Sequence, residues 1–512
     1  MSTINNYKKF LLNGLILTAT SFFLRWTGVL FNSYISKKLG SEGMGIYTLV
    51  QTLFGFAVTF ACSGINLGTT RLVSEALARG RVREAKTAIK KCVIYSLSFS
   101  LTALAFLYIG ANFLGCKILG DPRTVKSIRI LSLSLPFVSL SSVFNGYFSA
   151  ARKAYKSASV IFIEQFACIS ITVKTLSLLL GKGLEFACVS VAIGTFIAEA
   201  ISLAFNIILY ALDIWKLKIQ NTRVNKQLSK KLFKISLPLA LSTYVRSGLV
   251  TVEHLLIPYG LRKNGATLAS SLSSYGLIQG MVFPVIMFPS SIIYSFAGLV
   301  VPELSRYNEL NDKSKINRAV TIILRYSLLY SIGMAGIITC FSYEISLVFF
   351  GNAEAHSYIK LFAPLITIMY LDGAVDSILK GLNEQLYSMK INIADAFLSV
   401  ILVYTLIPKF GIKGYIIAIF VCEIFNCCMS MLRLVKICSP TFYVGKFIFG
   451  PITNVIISTA AITLIFKFLD ITYFTSATNL VLRIICVLML YVILSSPRIL
   501  REKSSDTSDC VM

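Results

Sequence analysis

In "LILTATSFFLRWTGVLFNSYI", residues 15–35, Arg25 has ten residues on either side without another charge. A guanidinium at the centre of a spanning helix costs about 2.5–3.5 kcal/mol on insertion scales, so its presence asks for a chemical use. Helical spacing lines up Gly14, Thr18, Ser21, Gly28 and Asn32 with it, while Phe22, Phe23, Leu24, Val29 and Leu30 cover much of the remainder. That pattern predicts an arginine turned away from lipid. A second one, Arg246, falls near the middle of "LPLALSTYVRSGLVTVEHLLIP". Guanidinium keeps its charge and presents a fork of donors matched to phosphate, so two facing each other suit a diphosphate. Gln51 and Asn66, on the stripe Gln51–Gly55–Thr59–Ser63–Asn66, and Gln279 are supporting donors. The plainer use of such stripes is close helix packing, each arginine being neutralised by one carboxylate.

The acidic residues within apolar runs are Glu164, Glu199, Glu253, Asp372, Asp376, Asp395 and Glu423. In "YLDGAVDSILKG", Asp372 and Asp376 are followed four residues later by Lys380, which places two carboxylates and a cation on one helix face. They are candidates for coupling or gating, or simply form an interfacial ion pair. Glu253 adjoins His254 and joins the same candidate set. Pro284 and Pro289 interrupt "GLIQGMVFPVIMFPSS", flanked by Pro238 and Pro302. Proline in a spanning helix frees carbonyls and permits bending, so this is either a hinge or a static kink.

Two histidines, His254 and His356, leave no His-based metal site. The twelve cysteines lie almost all within apolar runs, where Cys acts as a small hydrophobe. No Walker A, GxSxG or HExxH pattern is present. The sequence therefore predicts neither catalytic residues, nor a metal, nor a cofactor, and no enzyme.

The elements that must position these residues follow from composition. Of 512 residues, 56% are apolar and 14% charged, too little polar surface to cover a water-soluble fold. Apolar runs of spanning length recur throughout. The fold class is an all-α polytopic membrane protein with about fourteen spans, at 11–35, 43–68, 87–114, 125–150, 157–180, 185–213, 232–257, 271–301, 318–349, 357–380, 387–407, 412–437, 443–468 and 477–497. Most of the 49 basic residues fall at both ends of the chain and in the connections after even-numbered spans. By the positive-inside rule this puts both termini in the cytoplasm, and an odd span count would spoil the segregation.

The net charge of +26 is thus spread over helix ends rather than gathered in a basic domain, which argues against nucleic acid. The amino end, "MSTINNYKKF", reads as leading into an uncleaved first span. The polar connections "EALARGRVREAKTAIKK" and "DIWKLKIQNTRVNKQLSKK" are expected as amphipathic helices on the inner membrane face.

Spans four and ten resemble each other, as do "FIAEAISLAF" and "FVCEIFNCCMS", which sets Glu199 opposite Glu423 and Arg25 opposite Arg246. Six spans separate the copies, so the duplication is parallel, about an axis along the membrane normal. The expected organisation is a six-helix lobe at 1–215, a cytoplasmic linker at 216–231, a second lobe at 232–438, two further helices at 439–498 and a disordered tail at 499–512.

The six-plus-six-plus-two pattern resembles the multidrug/oligosaccharidyl-lipid/polysaccharide exporter superfamily. "EHLLIPYGLRKNG", "YGLIQGMVFPVIMFPSSIIYSFAGLVVPELSRYNEL", "ILKGLNEQ" and "GINLGTTRLVSEALARGRVREA" are similar to its stage V sporulation protein B and polysaccharide-transport branch. The resemblance implies a flippase that turns undecaprenyl-diphosphate-linked saccharides outward for cell-wall, spore-cortex or surface-polysaccharide assembly. It also implies that Arg25 and Arg246 engage the lipid diphosphate. The first span carries a single arginine, where lipid II flippases carry more basic residues in the amino half, so the class implied is lipid-linked saccharide rather than lipid II alone. Two other readings stand beside it. A cation-coupled multidrug antiporter of the same superfamily would need acidic groups in the amino-half cavity, and span one has none. A non-transporting scaffold would recruit envelope synthases through the basic loops.

Overall fold

A chain this apolar must satisfy its backbone within each segment, and helices do so. The structure, a computed structural model, describes residues 2–215, 228–440, 445–468 and 476–508, and every element among them is helical. In chain order these are α1 (Ser2–Cys62), α2 (Ile65–Ala78), α3 (Val82–Asn112), α4 (Val125–Ala150), α5 (Ala154–Leu179), α6 (Leu184–Trp215), α7 (Leu228–Lys263), α8 (Leu268–Tyr275), α9 (Phe283–Met287) and α10 (Ser290–Glu309). There follow α11 (Lys313–Cys340), α12 (Ser342–Phe350), α13 (Glu354–Phe362), α14 (Leu365–Gly381), α15 (Gln385–Phe410), α16 (Ile412–Ile437), α17 (Gly450–Phe468) and α18 (Ser476–Ser508).

Among the described residues, ten helices are long and apolar enough to cross a membrane, or up to twelve if each bent pair forms one span. The first of these, α1, holds two spans: Gly40, at φ 67° and ψ −178°, breaks it. A side chain would be strained in that left-handed region, and glycine is not. Counting those two stretches separately, and adding α7, makes fourteen spans compatible with the fold.

Two compact units emerge. The first comprises Met1–Phe31, Lys38–Gly276 and Ser399–Tyr415; the second comprises Asn32–Lys37, Leu277–Leu398 and Ile416–Met512. The lobes expected at 1–215 and 232–438 follow chain order, whereas these units follow packing, and α7 packs in the first. There α5 pairs with α6, and α4 packs on α2, α3 and α6. Small residues set these approaches: a Cβ on Gly194 of α6 would fall 1.9 Å from Thr172 Oγ1 of α5. In the second unit α14 lies against α10 and α11, and α17 against α11 and α18.

Three expectations are corrected. The polar segment after span two is no separate surface helix. It is the end of α2 and the start of α3, turning at Gly80 (φ 70°). Its Ala76, Ala85, Ala88 and Ile89 are buried in a core with Phe148 and Leu203, and buried Glu84 pairs with Arg81 at 3.3 Å. Apolar residues at three- and four-residue steps carry the buried face straight through the charged stretch. The tail expected to be disordered from 499 is helical to Ser508, consistent with the helix formers Leu500–Lys503; residues 509–512 lie outside the described residues. The linker at 216–231 ends in helix, since α7 begins at Leu228, and residues 216–227 lie outside the described residues.

Candidate functional site

On α1, Leu24 and Gly28 face α5. Gln165 donates its amide to the Leu24 carbonyl at 3.4 Å, a Cβ on Gly28 would lie 3.6 Å from that amide, and the Phe23 and Phe162 rings are 5.4 Å apart. Arg25 lies around the helix from this contact and is exposed, between exposed Phe22 and Trp26. Gly28 therefore belongs to the packing face, not to an open stripe under Arg25. Gly14, Thr18 and Ser21 of that stripe lie outside the residues whose side chains are described.

Helix α7 docks on the stretch of α1 that follows Gly40. Tyr244 Oη donates to the Phe60 carbonyl at 3.3 Å, Ser247 Oγ approaches Thr59 Oγ1 at 3.4 Å, and Gly248 lies against Phe56. These contacts occupy one face of α7. Arg246, exposed, lies on the opposite face, in line with Glu253 two turns on. The Thr59 hydroxyl is exposed, and a Cβ on Gly55, one turn away, would meet nothing within 4 Å. The polar stripe of span two thus borders open space over part of its length. Gln51 on it is half-buried, and Asn66 is exposed in the first turn of α2. Glu253 is half-buried beside Ser399 of α15, and His254 Nδ1 lies 2.9 Å from Tyr275 Oη.

All of these belong to the first unit. Gln279, Pro284, Pro289, Asp372 and Asp376 belong to the second. Gln279 sits in a single π-helical turn, Gly276–Val282. Pro284 is at the start of α9 and Pro289 immediately precedes α10, where Leu268–Met287 meets Ser290–Glu309 at a bend of 52°. Asp376 is taken up by its neighbours: Lys380 Nζ is 2.6 Å from Oδ2, and Ser388 Oγ donates to Oδ1. The face read as a gating cluster therefore holds a formed ion pair at this position.

One pair was not recognised from sequence. Glu164 of α5 and Glu199 of α6 line a cavity of about 140 Å³ with Phe31, Gln165, Cys168 and Thr195. Ser202 Oγ donates to Glu164 Oε2 at 2.7 Å. The signal was present: α5 and α6 are joined by the tight turn Leu180–Lys182, and positions 164 and 199 are nearly equidistant from its centre, Gly181. In an antiparallel hairpin, equidistant residues share a depth. The absence of acids on span one therefore does not empty the amino half of acidic groups. All the cysteines described are free, and no cluster of potential metal ligands occurs among the described residues.

Comparison with known proteins extends these observations. Residues 10–308 match the family model described as Polysaccharide biosynthesis protein. Stage V sporulation protein B of Bacillus subtilis (strain 168) is 25% identical over 416 residues, 80% of either chain. Among solved structures, the lipid II flippase MurJ in an inward closed conformation superposes with a TM-score of 0.70 at 16% identity, covering 94% of this chain and 98% of that one. A multidrug resistance MATE family transporter of the MOP superfamily, inward-facing, gives 0.64 at 13% identity, covering 81% and 95%. At such identities the shared property is the fold.

Proposed function

This chain belongs to the polysaccharide biosynthesis protein family, and from that premise we propose that it is a flippase for undecaprenyl-diphosphate-linked saccharides. It turns them outward across a bacterial cell membrane by alternating access, in envelope, spore-cortex or surface-polysaccharide assembly. The observation that carries this reading is the pair of exposed guanidiniums, Arg25 and Arg246, each away from the ends of a long helix of the same unit. A saccharide diphosphate must leave water to cross the bilayer, and desolvating its charge is the largest barrier to crossing. Arginines already placed at mid-membrane depth replace that hydration with charge-assisted donors, and Gln51, Asn66 and Gln279 supply neutral ones.

In this reading the protein spends no chemistry on the substrate. It binds the headgroup from one side, exchanges which side is open, and lets the headgroup go, so affinity must be moderate in both states. Both termini are cytoplasmic, and lobes at 1–215 and 232–438 rock against each other. Envelope synthases that deliver or consume the lipid are the expected partners.

The test is a flipping assay in liposomes with purified undecaprenyl-diphosphate saccharides, with and without imposed ion or voltage gradients. Protein-dependent exposure of the headgroup supports the reading; no acceleration over empty liposomes with any such lipid overturns it.

A second reading is favoured by Glu164 and Glu199, whose shared cavity gives the amino half a place for a proton or cation. It is a cation-coupled antiporter of amphipathic drugs. Drug-driven release of protons or Na⁺ from the same liposomes, without saccharide flipping, would select it.

A further inference from the structure

Two neighbouring helices of the second unit are broken at proline, and both are bent by 52°: one between Met287 and Ser290, the other between Phe362 and Leu365. The breaks adjoin in space. The rings of Phe283 and Phe362, which precede them, have centroids 5.4 Å apart. Tyr370, two turns past Pro364, reaches across and donates its hydroxyl to the Ile286 carbonyl at 2.5 Å.

Beyond the breaks, α10 and α14 are closely apposed. A Cβ on Gly373 would stand 2.8 Å from Tyr294, and one on Gly381 would stand 3.1 Å from Leu304 Cβ. Ser305 Oγ donates to the Gly381 carbonyl at 2.9 Å.

The break in the first helix is also chemically closed. Four successive carbonyls each accept a side-chain hydroxyl: Ile286 from Tyr370, Met287 from Ser290 at 2.6 Å, Phe288 from Ser291 at 2.8 Å, and Pro289 from Tyr330 at 2.9 Å. Tyr330, on α11, stacks on Tyr370 with centroids 6.3 Å apart and planes at 20°. A bend in lipid must keep its carbonyls satisfied, and here two of the hydroxyls come from other helices, α14 and α11, and two from the first turn of α10 itself. Such hydroxyls can let go and re-form as the angle changes, which the backbone ladder cannot.

We infer that the breaks at Pro289 and Pro364 are one hinge: α10 and α14 swing together as a body, and Tyr370 and Tyr330 pin the bend. The inference goes beyond the substrate reading and is independent of which lipid or drug is carried. The breaker pattern of the sequence marks a hinge or kink at Pro284 and Pro289; the second helix and the tyrosine pins come from the packing.

The test is hydrogen–deuterium exchange of the full chain in lipid nanodiscs. Tyr370→Phe should speed exchange about tenfold at the amides of residues 290–293 and equally at those of 365–367, because one buried bond spans both breaks. A rise at 290–293 alone would overturn the pairing, and no rise at either would overturn the pin. Pro364→Ala, which restores a donor in the second helix, should slow 365–367 and alter 290–293 as well; an effect confined to 363–367 speaks against a common hinge. Should that variant fail to fold, Tyr370→Phe decides. Coupled exchange in a protein that flips nothing would sink the proposed function and leave the hinge standing.

Discussion

The two units hold several of their polar groups in different ways. In the first, charge faces room: Arg246 and Arg25 are exposed, Gly55 borders open space, and Glu164 and Glu199 share a cavity. In the second, polar groups are turned on one another. Asp376 is held by Lys380 and Ser388, Arg433 clasps Glu384 with two bonds of 2.8 Å, and the broken helix has hydroxyls on four successive carbonyls. An exposed or cavity-lining charge can be reached by an arriving ligand. A paired one makes sense where geometry must be held. On the proposed function, the contrast would give binding to the first unit and mechanics to the second.

The hardest blow to that contrast would come from the arginines. Arg25→Ala and Arg246→Ala should each cut flipping about 100-fold, the loss of a charge-assisted contact or two, with unchanged membrane insertion and monodispersity. Full flipping in both would leave the first unit with no binding role. Lysine at either position should recover activity only to within about tenfold of the parent, because the fork is lost.

Next comes Glu199→Gln. If the cavity holds a coupling ion, this change should abolish the response of flipping to an imposed ion gradient and lower the driven rate about tenfold. An unaltered gradient response would reduce the cavity to a packing gap.

Asp376→Asn should do least. The Lys380 partner is half exposed, so the pair contributes on the order of 1 kcal/mol or less, a lowering of the melting temperature by one or two degrees, and flipping should stay within about twofold. A transport-dead Asp376→Asn that melts normally would show that the second unit also does ion chemistry.

Orientation can be checked separately. Exposed Arg79, beside the turn at Gly80, replaced by cysteine should label only from the cytoplasmic side; the buried Ala85 nearby is a poor site for the same purpose.

How much of this was legible beforehand depended on whether the cause was local. Helix class, the break at Gly40 and the arginines at mid-span could all be read from hydropathy and single residues. So could the Asp376–Lys380 pair, since four-residue spacing on one helix brings the two within reach. What needed packing was not read. Glu164 and Glu199 meet only once α5 folds back on α6. The span at 357–380 reads as one continuous helix, whereas α13 and α14 meet at Pro364 with a bend of 52°. The charged run 75–91 suggested a surface helix because its charges are conspicuous, while the alanines that bury it are not.

The joint at Gly40 carries one more consequence. A link of a single residue between two long rods permits rotation and almost no sliding, as a door hangs from its post. At 1.5 Å per residue Arg25 stands about 22 Å from that joint, so a tilt of about 10° sweeps its Cα through roughly 4 Å. Near the joint the rod is tethered, Ser33 to the Phe349 carbonyl at 2.5 Å and Lys37 to that of Val348 at 2.6 Å. A small change of angle at the tethered end would thus be a large displacement of charge at the other.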